Sequence, residues 1–309
     1  MEDVNCLICG HDKAKQLFRS QSYVYLQQVF ALTQCTECGL VFLNPRPTGK
    51  EMEEYYKNYY PPMYLENLER LNHFLRSILL HVEIGQTKYE TISDSKNNKF
   101  LEIGFGDGFF PEYIKSKGWD VWGVEVNQGC VDRFKRKGYQ SVFCGDVFSQ
   151  AFDDESFDLI RMNHVLEHMY DPVDVLREVK RILKKNGRII LTVPNFNGYG
   201  HQLFKQYAYY LHLPYHVYFF SQPILERLID RVEGLRVVKV YKTHFFAFYI
   251  SSIIQFLRSN KQRVYHLPSS SANRMVMRRL LDLVPARLMS ILNILGEGDV
   301  MELEIIKGA

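Results

Sequence analysis

The chain has 309 residues, 46% of them hydrophobic and 24% charged, an ordinary globular balance with ample material for a core of its own, so one large domain plus a small appendage is expected. Its formal net charge is only +3, and no run of lysine and arginine leaves the electrostatic footprint of a nucleic-acid binder, so nucleic acid is disfavoured and small or uncharged partners stay open. The segment MEDVNCLICG lacks the basic flank and apolar core of a secretory leader, and no window reaches about 18 uninterrupted apolar residues, so a cytoplasmic location is expected.

Four of the six cysteines fall in two Cys-x-x-Cys pairs, Cys6 with Cys9 in CLICG and Cys35 with Cys38 in CTECG. Each pair ends in glycine, the pattern of a knuckle turn that aims both thiolates at one point. Two knuckles complete a tetrahedral site for structural Zn²⁺ with no open coordination position. Such a site staples a fold and says little about catalysis. The apolar and aromatic residues between Cys9 and Cys35 are expected to span the gap as a hairpin, and residues 1–48 to form a zinc module. Cys130 and Cys144 stand alone inside periodic segments and are expected in the core.

The segment GLVFLNPRPTGKEMEEYY predicts a short strand, a proline-bounded turn and a helix opened by Thr48, with Glu51 at capping-box spacing. Tyr55, Tyr56, Tyr59 and Tyr60 form an aromatic cluster suited either to a substrate entrance or to plain packing. An amphipathic helix over about 63–92 and the polar stretch SDSKNNK complete a helical connector, residues 49–95.

From Phe100 short apolar runs alternate with amphipathic helices, the pattern of parallel β-α units. The runs are FLEI (100–103), VWGVE (121–125), SVFC (141–144), FDLIRM (157–162), RIILTV (188–193) and LRVVKV (235–240), with MELEII (301–306) closing the chain. They predict an α/β fold with a doubly wound, seven-stranded Rossmann-like sheet over residues 96–243 plus 297–309. A helical insertion, residues 244–296, precedes the last strand. Its apolar and amphipathic stretches suit a lid, a dimer surface or peripheral membrane contact, with packing favoured because the cationic face is light. The oligomeric state stays open.

The first run flows into EIGFGDGFF, where Gly104, Gly106 and Gly108 allow a tight turn and close approach of a ligand at the carboxyl end of a strand. A dinucleotide fingerprint needs glycine at 109, which is Phe109, so pyrophosphate binding is weakened. Glu125 ends the second run, where a carboxylate accepts ribose hydroxyls. In CGDVF, Asp146 is placed for an adenine amino group and Val147 for a backbone N–H to the ring, although a solvated turn aspartate is the bland alternative. Together these elements favour an adenosine ligand without a pyrophosphate.

In order and at their usual intervals, FLEIGFGDG, GVEV, GDV, VLEHMYDP and KNGRIILTVPN resemble class I S-adenosylmethionine-dependent methyltransferases, especially the ubiquinone-biosynthesis and sugar methyltransferases. The cysteine pairs and CGLVFLNPRP are more loosely similar to bacterial surface-polysaccharide and deoxysugar methyltransferases. The resemblance implies that Glu102, Gly104, Gly106 and Gly108 hold the methionine end of S-adenosylmethionine, Glu125 the ribose, and Asp146 and Val147 the adenine, with Asn163 near the sulfonium. It also implies methyl transfer to a small-molecule acceptor, a sugar or surface-glycan intermediate, with a histidine base. His216 in LPYHVYFFS is favoured for that role, and His164 and His168 compete. Rival readings are an RNA methyltransferase, an NAD-dependent oxidoreductase and a non-catalytic cofactor-binding protein.

His164, Glu167 and His168 in NHVLEH have the His-x-x-Glu-His spacing of one zinc-protease class. That chemistry needs the residues on one helix. Here Asn163 is expected to end a strand and Asp171-Pro172 to start the next helix, so the pattern should span a strand end and a turn.

Overall fold

Alternation in the first forty residues produces a hairpin: β1 (Ala14–Gln21) pairs antiparallel with β2 (Val29–Cys35), Ala14 opposite Cys35 and Gln21 opposite Val29. A third strand, β3 (Val41–Leu43), adds to the other edge of β2. The computed structural model describes residues 1–22, 28–56, 92–106, 109–244, 246–259 and 297–308. Tyr59, Tyr60, Gly108, most of the expected helix over 63–92 and most of the 244–296 insertion lie outside the described residues.

The helix Gly49–Tyr56 opens as its sequence dictates. Thr48 N donates to Glu51 Oε2 at 2.8 Å and Glu51 N to Thr48 Oγ1 at 3.4 Å, the reciprocal bonds of a capping box.

The later apolar runs become β4 (Lys99–Ile103), β5 (Asp120–Glu125), β6 (Val142–Cys144), β7 (Phe157–Asn163), β8 (Leu183–Pro194), β9 (Tyr218–Phe219), β10 (Leu235–Thr243) and β11 (Val300–Lys307). All but β9 join one seven-stranded sheet in the order β10-β11-β8-β7-β4-β5-β6. From β6 to β8 the strands are parallel, and β11 runs antiparallel between β8 and β10. The order reverses at β4, which has β5 on one side and β7 on the other, so the crevice above their carboxyl ends is the switch point where open α/β sheets bind ligands.

The central runs are continuous in apolar residues because helices cover both faces of the sheet. Leu101, Ile160, Met162, Ile189 and Leu191 are fully enclosed, packed with Leu176, Val179 and Ile182 of the helix Pro172–Ile182. Cys130 is buried, as expected. Cys144 is exposed, a correction to its expected place in the core, because it closes the short edge strand β6, which has a neighbour on one side only.

The N-terminal strands do not form a sheet by themselves. Two-residue β9, from the segment after β8, pairs antiparallel with β3, Val41 opposite Phe219 and Phe42 opposite Tyr218, giving a four-stranded sheet β1-β2-β3-β9. Arg46 reinforces the join: its Nε lies 2.7 Å from Glu2, its NH1 donates to Tyr218 Oη at 3.1 Å, and its guanidinium sits 4.2 Å from the Tyr170 ring centre. Among the described residues, no helix is long and apolar enough to cross a membrane.

Candidate active site

At the end of β4 the backbone turns through Gly104 (φ +72°) and Gly106 (φ +47°). A Cβ on Gly104 would stand 2.6 Å from Val165 Cγ2, so only glycine lets this turn lie against the segment that follows β7. Gly106 N donates to Glu125 Oε2 at 2.9 Å, while Asn127 N donates to Oε1 at 3.0 Å. Burial raises the Glu125 pKa, and these N–H groups oppose the rise. A carboxylate offers about four lone-pair sites; the N–H groups of Gly106, Asn127 and Val126 face this one, and what remains is left for a hydroxyl donor.

The carbonyl side of the turn is held too. Arg133, buried on the helix Gln128–Arg136, donates from NH2 to Gly106 O at 3.0 Å. Its signal in the sequence was a charge on an otherwise apolar face with Cys130, Val131 and Phe134.

Glu102 is buried and pairs with a cation inside the sheet. Its Oε1 accepts from Arg161 NH1 at 2.7 Å, both side chains are 2% exposed, and the Arg161 guanidinium lies 4.0 Å from the Phe110 ring centre. The lone charge in the apolar run FDLIRM was the available sign. Asp146 is exposed, and its Oδ1 accepts from Phe148 N at 3.1 Å and Ser149 N at 2.9 Å, an Asx turn. Val147 beside it is buried, and Gly145 N donates to Glu125 O at 3.0 Å, so this loop and the acid at the end of β5 are tied together.

On the other side of the crevice, β7 ends at Asn163, His164 takes a left-handed φ of +55°, and Leu166–His168 form one tight turn. Asp171 then caps the next helix, accepting from Asp174 N at 3.1 Å. The His-x-x-Glu-His spacing therefore crosses a strand end and a turn, as expected, and forms no protease helix.

What the spacing did not show is a cluster around Glu167, whose side chain is 1% exposed. His164 Nδ1 lies 3.2 Å from its Oε1 and His216 Nε2 3.8 Å from the same oxygen. The His168 and His216 rings meet edge to face at 4.7 Å. His168 Nδ1 contacts Tyr215 O at 3.0 Å and Tyr56 Oη at 2.9 Å, which brings the N-terminal helix into the site. Val217 N donates to Glu167 O at 3.0 Å and anchors the segment carrying His216. All three candidate histidines thus converge on one carboxylate. Burial, then neighbouring His168, His212 and His164, hold the His216 pKa well below the usual histidine range; burial also lowers that of His168, against the pull of Glu167.

At the far edge of the fold, Sγ atoms of Cys6, Cys9, Cys35 and Cys38 all lie within 4.8 Å of one another. Gly10 (φ +73°) and Gly39 (φ +82°) close the two knuckles, donating to Cys6 O at 2.8 Å and Cys35 O at 3.1 Å. Burial opposes the Cys35 thiolate, yet N–H donors from Cys38 and Glu37 and the adjacent thiols bring its pKa down to about 7. Zn–S bonds of about 2.3 Å put the sulfurs of a tetrahedral site roughly 3.8 Å apart, which this set fits.

Residues 101–191 match the family model for a methyltransferase domain. That segment runs from β4 into β8 and includes the glycine turn, Glu125, Asp146 and all of NHVLEH. An uncharacterised protein of Methanocaldococcus jannaschii is 27% identical over 147 residues, 47% of this chain and 62% of that protein. A ubiquinone biosynthesis O-methyltransferase of Coxiella burnetii is 26% identical over 153 residues, 48% of this chain and 56% of that enzyme. The chain thus spans less than two thirds of the length of these curated relatives. The crystal structure of the cyclase SpnF superposes with a TM-score of 0.51 at 14% identity, covering 85% of this chain and 98% of that one. This likeness concerns the fold alone, which does not fix the chemistry built on it. With the matched segment and the strand order taken together, the chain carries a methyltransferase domain of the class I S-adenosylmethionine-dependent family.

Proposed function

We propose that the chain methylates a small-molecule acceptor, a sugar or another surface-glycan intermediate, using S-adenosylmethionine and a histidine base, and that its four N-terminal cysteines hold a structural Zn²⁺. The observation that carries the cofactor reading is the bond from Gly106 N to Glu125 Oε2, which makes the glycine turn and the acid one unit at the switch point. The bound cofactor would supply an electrophilic methyl group on a sulfonium.

The chain's own residues do the rest. The Gly104–Gly106 turn permits close approach, and the remaining acceptor capacity of Glu125 suits a ribose hydroxyl. Asp146, with one oxygen capping its own turn, offers the other to an exocyclic amino group. Asn163 lines the crevice from the end of β7. Tyr56 and Tyr215, packed edge to face with centroids 5.2 Å apart, exclude water behind the histidines. Phe109 disfavours a dinucleotide. The name of the Coxiella relative favours oxygen as the accepting atom.

Calorimetry of the full chain with S-adenosylmethionine and NAD side by side tests the reading. One-to-one binding of the former is expected, weakened at least about tenfold by Glu125→Ala, the equivalent of roughly one lost charge-assisted hydrogen bond. Tight binding of NAD alone would overturn it.

A further inference from the structure

We propose that His164 and Glu167 form a dyad in which His164 Nε2 takes the proton of the methyl acceptor while Glu167 fixes and stabilises the imidazole; this rests on the methyl-transfer reading above.

Position comes first. His164 directly follows β7, the strand beside β4 across the switch point, and Val165 after it packs onto Gly104 at the start of the cofactor turn. His164 N donates to Thr192 O at 2.9 Å, which pins the residue in its left-handed conformation. A non-glycine residue held there costs on the order of 1 kcal/mol, and the bond to Thr192 O with the packing of Val165 on Gly104 keeps the residue in that conformation.

Charge comes second. With Nδ1 facing Glu167 Oε1 at 3.2 Å, the ring carries its N–H on Nδ1 and its lone pair on Nε2, and the side chain is 32% exposed against 1% for Glu167. When Nε2 gains a proton, the contact becomes a charge-assisted hydrogen bond to a carboxylate that is itself buried. Glu167 Oε2 is buried with no hydrogen-bond partner among the described residues, so no second donor there competes with the contact to His164.

The other two histidines suit different work. His216 is 6% exposed on its side chain and is kept neutral by burial, so with Nε2 3.8 Å from Glu167 Oε1 it packs behind the carboxylate without pairing with it. His168 has its Nδ1 occupied by Tyr215 O and Tyr56 Oη. Among the described residues, the titratable groups around His164 include Glu167, His168 and His216, with Tyr56 beyond His168.

The proton balance is simple. The acceptor's X–H bond breaks, its proton passes to His164 Nε2 and its electron pair forms the X–CH₃ bond, while the electrons of the carbon–sulfur bond remain on sulfur. Glu167 keeps accepting the Nδ1 hydrogen bond throughout.

Long-range ¹H–¹⁵N spectra of histidine-labelled full-length protein test this without an acceptor, the His164 signals being assigned by their loss in His164→Ala. The Nδ1–H form of His164 is expected to exceed the Nε2–H form at least about tenfold, and Glu167→Met should abolish that preference. Saturating S-adenosylmethionine should move the His164 ring signals, and S-adenosylhomocysteine, which lacks the methyl and its charge, should move them much less. A dominant Nε2–H form in the unmodified protein, or equal movement with both ligands when both bind, overturns the dyad. If Glu167→Met does not fold, the two-ligand comparison on the unmodified protein still decides. Failure of S-adenosylmethionine to bind at all would instead remove the methyl-transfer reading itself.

Discussion

The Tyr56 hydroxyl lies 2.9 Å from Nδ1 of His168, so a helix that begins just after the cysteine module touches the turn after the fourth strand of the methyltransferase sheet. Tyr56 is half-buried, and burial raises its pKa, which keeps the hydroxyl protonated at any ordinary pH. Tyr56→Phe keeps the ring packed on Tyr215 and removes only the hydroxyl. A loss of about 1 kcal/mol in urea denaturation is expected, with S-adenosylmethionine affinity retained.

Gly104→Ala meets two obstacles at once. The new methyl would stand 2.6 Å from Val165 Cγ2, and the φ of +72° costs a side chain about 1–2 kcal/mol. Calorimetry should show S-adenosylmethionine binding weakened at least about tenfold. Adding Val165→Ala relieves the collision but leaves the backbone cost, so recovery should be partial.

Arg161→Met leaves the Glu102 carboxylate buried without its 2.7 Å cation. Breaking one side of a buried pair costs about 3–5 kcal/mol. The midpoint of urea unfolding should fall accordingly, and Glu102→Leu combined with Arg161→Met should restore much of the loss. Equal instability of the single and double variants would show that the pair matters through packing alone.

His201 supplies a pH-dependent term. Burial, then the nearby Lys205 charge, lowers its pKa to about 4, and its ring stacks on Phe196 with centroids 3.9 Å apart. The folded pKa lies below the unfolded value, so the unfolded chain binds the proton more readily between the two. The resulting stability is present above about pH 6.5 and is lost as pH falls through about 4. It amounts to something on the order of 3 kcal/mol. His201→Phe keeps the stack and cannot titrate, so its denaturation midpoint should fall less steeply across that window than that of the unmodified protein.

The cysteine cluster predicts about one zinc per chain by mass spectrometry of the purified protein, with Cys9→Ser or Cys38→Ser losing most of it. Because β3 carries both the module and the pairing with β9, zinc loss should also lower the melting temperature of the whole chain. A metal-free protein of unchanged melting temperature would contradict the structural role.

Local pattern made much of this fold legible. The seven apolar runs became the strands of the sheet, Thr48 and Glu51 made the expected capping box, and the glycines after each cysteine pair closed the knuckles. Periodicity assigns faces and lengths, however, and names no distant partner. Arg161 meets Glu102 from 59 positions away, and His216 reaches Glu167 only because Val217 is bonded to its carbonyl. The two-residue strand β9 is too short to announce itself, since its pairing with β3 is its entire reason to be extended. Asp146 shows a different limit: its Oδ1 closes its own turn, a role that the sequence could not separate from the proposed contact with adenine.

That shared four-stranded sheet also sets an order of events during synthesis. β1, β2 and β3 leave the ribosome early, but the strand that completes their sheet arrives only with Tyr218 and Phe219, after most of the parallel sheet has been made. Until then the backbone of Val41 and Phe42 presents an open edge to any passing chain. The cysteine knuckles, local in sequence and able to close early around a metal, would keep that edge short and anchored while it waits.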